Sequence, residues 1–211
     1  MTPLTEPFDA SKFEAFFTRS PVLVAPDLLG WRLAHGEVEV EIVETEAYLG
    51  QGADEASHAH IGLRPRNRSM FGPVGRSYIY KSYGMHLCFN VVCHAPAEAG
   101  AVLVRAGRVS AGRDCAVASR GRSQDLANGP GRLGQALGLT LELDGTSLWD
   151  GAVTLRPGSQ TDDTDRAVCS GPRVGISKAV DLPYRFWLKN SAEVSKGRPG
   201  PASKSSSKVA R

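Results

Sequence analysis

Between Glu37 and Ile42 the chain alternates strictly, with Val38, Val40 and Ile42 set against Glu37, Glu39 and Glu41. A period of two is the pattern of a strand with one face in a core. After Val43 the phase inverts. If the strand runs on unbroken, Glu44, Glu46 and Tyr48 lie on the face that was apolar, where an unpaired carboxylate is costly. A bulge at Ile42-Val43 would restore the phase and leave both glutamates in water. The stretch alone favours the bulge. The competing reading holds one carboxylate in a cleft as a base, its pKa open to tuning.

The same patterning predicts the other elements. Asp9 to Arg19 reads as a short helix with Ser11 as cap and Phe13, Phe16 and Phe17 on its apolar face. Pro21 to Leu29 reads as a second helix, stopped by Gly30. Trp31 to Leu33 and the chain from Val38 form a hairpin. Tyr78 to Lys81 and Met85 to Val92 form another, around Ser82-Tyr83-Gly84. In its second strand Met85, Leu87, Phe89 and Val91 share a core face, and His86, Cys88 and Asn90 share a polar one. Ala101 to Ala106 is apolar enough for a buried strand, residues 107–124 are ambiguous, and a helix starts at Asn128-Gly129-Pro130. Further strands fit near Ser147–Leu155 and Tyr184–Leu188. From Ala192 the apolar period is lost, so residues 1–191 read as one domain and 192–211 as a disordered basic tail.

Composition changes this picture mainly through charge. The 211 residues carry a net charge of only +3, too little by itself to suggest a polyanion. The distribution is uneven. Residues 1–60 hold 3 basic and 11 acidic side chains, a balance of −8, and residues 61–122 hold 10 and 2, a balance of +8. The cationic middle suits a nucleic acid, unless the two thirds pair across a sheet. No stretch approaches the ~18 apolar residues of a spanning helix, and the start lacks a signal-peptide pattern. These features point to a cytoplasmic protein. The cysteines Cys88, Cys93, Cys115 and Cys169 form no C-x-x-C and read as reduced thiols. His58 and His60 lack a second ligand pair, so no metal is expected.

Candidate chemistry gathers on a few motifs. Tyr83 at a hairpin tip is either covered by a neighbouring loop, which the residue alone favours, or placed to wedge between bases. Arg64-Pro65-Arg66-Asn67-Arg68 reads as a basic loop that suits phosphate contact, although many such loops are only solvated. Arg105 ends an apolar strand and needs an anionic partner, which Glu44 or Glu46 could supply. Lys81 fits phosphate contact better than a nucleophilic amine.

Together these residues resemble a known family. Glu44-Thr45-Glu46-Ala47-Tyr48-Leu49-Gly50, Asp54-Glu55-Ala56-Ser57-His58, Arg66-Asn67-Arg68-Ser69-Met70-Phe71, Tyr80-Lys81-Ser82-Tyr83-Gly84-Met85, Asn90, Arg105 and Ser170-Gly171-Pro172-Arg173-Val174-Gly175 run in the order of the alkyladenine (3-methyladenine) DNA glycosylases, as in a bacterial member. The resemblance spans about residues 21–190. It implies a single mixed α/β (α+β) domain with a curved antiparallel sheet, surrounding helices and a protruding DNA-inserting β-hairpin. It implies a monofunctional enzyme of base excision repair, acting without metal or cofactor on damaged purines in double-stranded DNA. It further implies a nucleoid-associated monomer with no membrane and no obligate protein partner. Glu46 matches the family's water-activating base. Arg105 and the backbone carbonyl of Val174 match groups that hold that water. Tyr48, His58 and Tyr80 match the walls around the flipped base, Asn90 the residue that disfavours guanine, and Tyr83 the intercalating residue. Arg64, Arg66, Arg68 and Lys81 are the expected phosphate contacts. The rival from another class is a non-catalytic binder of damaged or distorted DNA, which would have no use for Glu46.

Overall fold

The computed structural model describes residues 8–158 and 167–196. Its frame is an antiparallel sheet. Strands β1 (Arg32–His35), β2 (Val38–Tyr48), β3 (Ser77–Ser82), β4 (His86–Val92), β5 (Ala101–Ala111) and β6 (Val153–Arg156) lie in the order β3-β4-β5-β2-β1-β6. The far half of β2 pairs with β8 (Arg185–Leu188), which in turn pairs with β7 (Val168–Gly171). The edge of β2 opposite β5 therefore serves β1 first and β8 afterwards. Helices α1 (Ala10–Phe17), α2 (Pro21–Asp27), α3 (Arg113–Arg120) and α4 (Pro130–Ala136) complete the mixed α/β domain.

The main core holds Phe13, Phe17, Val40, Ile42, Phe89, Val102, Val104 and Leu155, among others. It takes one face of the sheet, and α2 is fastened there by the Thr45 hydroxyl donating to the Ala25 carbonyl at 2.8 Å. A smaller cluster on Ala59, Met70, Tyr78 and Val92 lies elsewhere. The sheet is thus covered on both faces for part of its length.

The bulge in β2 is present, but its consequence differs from expectation. Ile42 pairs with Gly107 and Glu44 with Ala106, so Val43 is the extra residue. The phase is restored: Thr45 and Ala47 take up the inward positions after Val38, Val40 and Ile42. Glu44 and Glu46 are nonetheless fully buried rather than in water. The segments before and after β8 reach over the second face, Val174 to Glu46 and Ser195 to Glu44, so polar outward positions become interior ones.

Several local expectations shift. Asp9, not Ser11, caps α1, its carboxylate accepting from the Lys12 N–H at 3.0 Å. The ambiguous stretch resolves into the end of β5, then α3. The basic run at residues 64–68 is not an open loop; a 3-10 helix runs over Pro65–Phe71 with its proline at the first turn. Met85 lies in the turn and is exposed, not part of the core face. Of the expected tail, residues 197–211 lie outside the described residues. Residues 192–196 are described, and Ser195 is buried. No helix among the described residues is long and apolar enough to cross a membrane.

Candidate active site

One row of cross-strand neighbours builds the site. Tyr78 on β3 pairs with Asn90 on β4, Asn90 with Leu103 on β5, Leu103 with Glu46 on β2, and Glu46 with Arg185 on β8. Residues two along each strand share the face, which adds Tyr80, Cys88, Arg105, Glu44 and Tyr48. Regular pairing thus places side chains distant in sequence on rigid strands. A cleft of about 600 Å³ opens over this face, within the range of about 300–1,000 Å³ usual for ligand sites. Tyr48, His58, Tyr80, Asn90, Arg105 and Val174 line it, with Tyr83 and Lys81 at the hairpin end.

Glu46 sits behind that wall. Its Oε1 accepts from the Val174 N–H at 2.7 Å. Its Oε2 accepts from the Tyr48 hydroxyl at 2.8 Å and from Arg105 Nη1 at 3.2 Å. A carboxylate offers about four lone pairs, so one on Oε1 is left for another donor. Burial pushes the Glu46 carboxyl above the usual carboxylate range, against the pull of Arg105, the Val174 N–H and the Tyr48 hydroxyl. The contact from Val174 is through its N–H.

The aromatic walls are held by side chains that the motifs alone did not mark. Tyr80 stands edge-on to His58, ring centres 4.6 Å apart. Tyr78, nearly fully buried, stacks on Tyr80 at 5.4 Å and bonds His58 Nδ1 through its hydroxyl at 2.8 Å. Arg66 Nη2 lies 3.0 Å from His58 Nε2. Guanidinium can only donate, so Nε2 is the acceptor, and His58 is neutral with its proton on Nδ1, donated to Tyr78. Burial, with Arg66, pushes the His58 pKa down to about 4. All three arginines of the run are exposed, but only Arg66 lines the cleft and faces a wall residue. Burial also raises the phenols of Tyr48, Tyr78 and Tyr80 well above their usual value. The walls therefore stay uncharged across the neutral range.

The depressed His58 pKa has a consequence for stability. An unfolded His binds a proton below about 6.5, and the folded one does so only near 4. In that window the unfolded chain binds more protons, so stability is fully present above about pH 6.5 and is lost as pH falls toward 4. Urea midpoints should show the advantage of the wild type over His58→Gln shrinking across that interval. A constant difference would contradict the neutral assignment.

Two more positions escaped the sequence reading. Asn67, buried, donates to the carbonyls of His58 and Gly62 and accepts from the Arg64 N–H, pinning the His58 loop. Arg173 binds Asp54 through both terminal nitrogens at 2.6 and 2.8 Å, and its guanidinium lies 4.6 Å from the Tyr48 ring centre. Both belong to quoted motifs, but only their partners reveal their roles. Asn90 donates to the Tyr78 carbonyl at 2.9 Å.

The hairpin tip is unusual. Tyr83 has φ 48° and Gly84 φ 73°, in a turn closed by the Met85 N–H on the Ser82 carbonyl at 3.1 Å. A left-handed tyrosine is uncommon and costs about 1–3 kcal/mol. Tyr83 is 86% exposed. No metal-holding group of three or more His, Cys, Asp or Glu side chains occurs among the described residues, and the four cysteines are free.

The sequence is similar to those of known proteins. Residues 15–192 match the family described as methylpurine-DNA glycosylase. A relative from Frankia casuarinae, provisionally named 3-methyladenine DNA glycosylase, is 47% identical over 195 residues, covering 87% of this chain and 92% of its own length. One from Methanoculleus marisnigri with the same name is 47% identical over 188 residues, 86% of this chain and 97% of its own. A third, from Corynebacterium jeikeium, is 45% identical, covering 90% and 94%. The chain belongs to the methylpurine-DNA glycosylase family, hydrolases that act on N-glycosyl bonds in DNA.

Proposed function

We propose that the protein excises alkylated purines such as 3-methyladenine, and deaminated purines such as hypoxanthine, from duplex DNA. The base flips into the cleft and a water activated by Glu46 attacks. The carrying observation is a buried carboxylate with one acceptor position left, directly behind an aromatic-lined cleft.

Flipping costs about a few kcal/mol, and stacking on aromatic walls recovers about 1–3 kcal/mol per base. Tyr48, His58 and Tyr80 supply uncharged walls, which suit a purine made cationic by alkylation. As the N-glycosidic bond lengthens, positive charge develops on the sugar. The Glu46 carboxylate stabilises that charge and takes a proton from the water, which bonds to C1′ while the purine leaves with the glycosidic electron pair. Arg105 and Val174 fix the carboxylate, and Asn90, anchored to the Tyr78 carbonyl, sits at the base edge to disfavour the 2-amino group of guanine. An abasic site remains. Arg64, Arg66, Arg68 and Lys81 are proposed phosphate contacts, with Arg66 also holding His58.

The test is an excision panel on duplexes carrying 3-methyladenine, hypoxanthine or ethenoadenine, without added metal. Release of at least one base, leaving an intact strand with an abasic site, is expected. Lesion binding with no release from any duplex would favour the non-catalytic binder.

Tyr83 is proposed to fill the gap left in the stack. Glycine accepts the left-handed turn freely. Tyr83→Gly should therefore leave the melting temperature equal or higher, while affinity for a lesion duplex falls roughly tenfold or more. Unchanged affinity in a gel-shift titration would remove the wedge role.

A further inference from the structure

Glu44 is fully buried, and the reaction above gives it nothing to do. Its Oε1 accepts from Arg105 Nε at 3.1 Å, Arg185 Nε at 2.7 Å and Ser195 Oγ at 2.9 Å. Its Oε2 accepts from the Ser195 N–H at 2.6 Å. Four donors thus converge on one carboxylate, which suits an anchor for the groups around it.

The geometry of Arg105 explains the anchor. Along β5, Glu44 pairs with Ala106 and Thr45 with Val104, so Arg105 is the residue left over at a second irregularity. Such bulges re-aim a side chain, and this one turns Arg105 onto both glutamates. Its guanidinium is a rigid planar fork. Nε rests on Glu44, Nη2 lies 3.4 Å from the Ser195 hydroxyl, and Nη1 is thereby aimed at Glu46. Arg185 supplies a second positive charge to Glu44, so Arg105 need not satisfy it alone.

We propose that Glu44, held by Ser195 and Arg185, is the positioning residue for Arg105, and that the chain around Ser195 is thereby part of the catalytic site. The proposal rests on the reading of Glu46 as base.

Single-turnover excision at saturating enzyme separates placement from folding, because an unfolded fraction does not lower the rate constant of the bound complex. Ser195→Ala, which keeps every charge, should lower that rate constant severalfold, with the half-saturating enzyme concentration unchanged. Ser195→Thr, which keeps the hydroxyl, should restore it. Glu44→Gln should lower it further, by roughly tenfold to a hundredfold, as expected when a reacting group is misplaced. Wild-type rate constants in both Ser195→Ala and Glu44→Gln would overturn the proposal. So would a Ser195→Thr protein as slow as Ser195→Ala, or a loss confined to DNA affinity. If Glu46→Gln also excises at the wild-type rate, the assignment of the base has failed. An inactive Glu46→Gln beside normal Ser195 and Glu44 variants would refute the positioning role alone.

Discussion

Glu46→Gln is expected to lower single-turnover excision by about 10²–10⁴-fold, the usual contribution of a general base. On the proposed mechanism the substitution removes the proton acceptor and the charge opposite the developing cation together. Its local effect is also readable. Three donors converge on the carboxylate, from Val174, Tyr48 and Arg105, and an amide offers one oxygen. If that oxygen faces Arg105 and Tyr48, the new NH₂ meets the Val174 N–H, donor against donor. A modest drop in melting temperature should accompany the loss. His58 and Tyr80 do not bond Glu46 and should keep lesion affinity near that of the wild type. As the proposed base Glu46 must be ionised to act, and burial raises its pKa. The wild-type rate should therefore fall on acidification through a pKa above the usual carboxylate range. The residual rate of Glu46→Gln should lack that limb. A variant rate within roughly tenfold of the wild type would remove Glu46 from the role.

The sequence made the elements of this site legible through period two. Tyr78 with Tyr80, Cys88 with Asn90, and Glu44 with Glu46 share faces because each pair is two residues apart on a strand. What stayed hidden was the second layer. The bulge at Val43 was readable, but no pattern in β2 tells whether its other face meets water or protein. That depends on the segments flanking β8, whose Val174 and Ser195, 128 and 151 residues further on, bond Glu46 and Glu44. Ser195 was hidden for the same reason. It sits in a polar, low-complexity stretch whose composition resembles a tail, and only its bonds to Glu44 mark it as interior. Arg66 illustrates a different gap. A basic run predicts phosphate contact by charge, yet one arginine of the run lies against a histidine ring nitrogen, and composition does not report direction.

Arg173→Met should be the most destabilising of these substitutions. Arg173 and Asp54 are both fully buried and joined in a two-pronged pair, and Arg173 also donates to the Ala47 carbonyl at 2.9 Å. Removing one partner of a buried pair costs about 3–5 kcal/mol, because the other charge stays buried without compensation. At about 2–4 °C per kcal/mol for a protein of this size, the melting temperature should drop by roughly 6–20 °C. The same physics predicts that losing both charges is better than losing one. Arg173→Met/Asp54→Leu should melt above Arg173→Met alone, yet below the wild type, because Asp54 also accepts from the Leu49 and Ala56 N–H groups. Simple additivity in the thermal melts would mean that the pair is not coupled. The effect should reach the chemistry as well. Arg173 backs the ring of Tyr48 and immediately precedes Val174, whose N–H holds Glu46. Even at a temperature where Arg173→Met remains folded, its excision rate should therefore fall. An undiminished rate there would show that Tyr48 and Val174 keep their places without Arg173, leaving the pair a purely stabilising device.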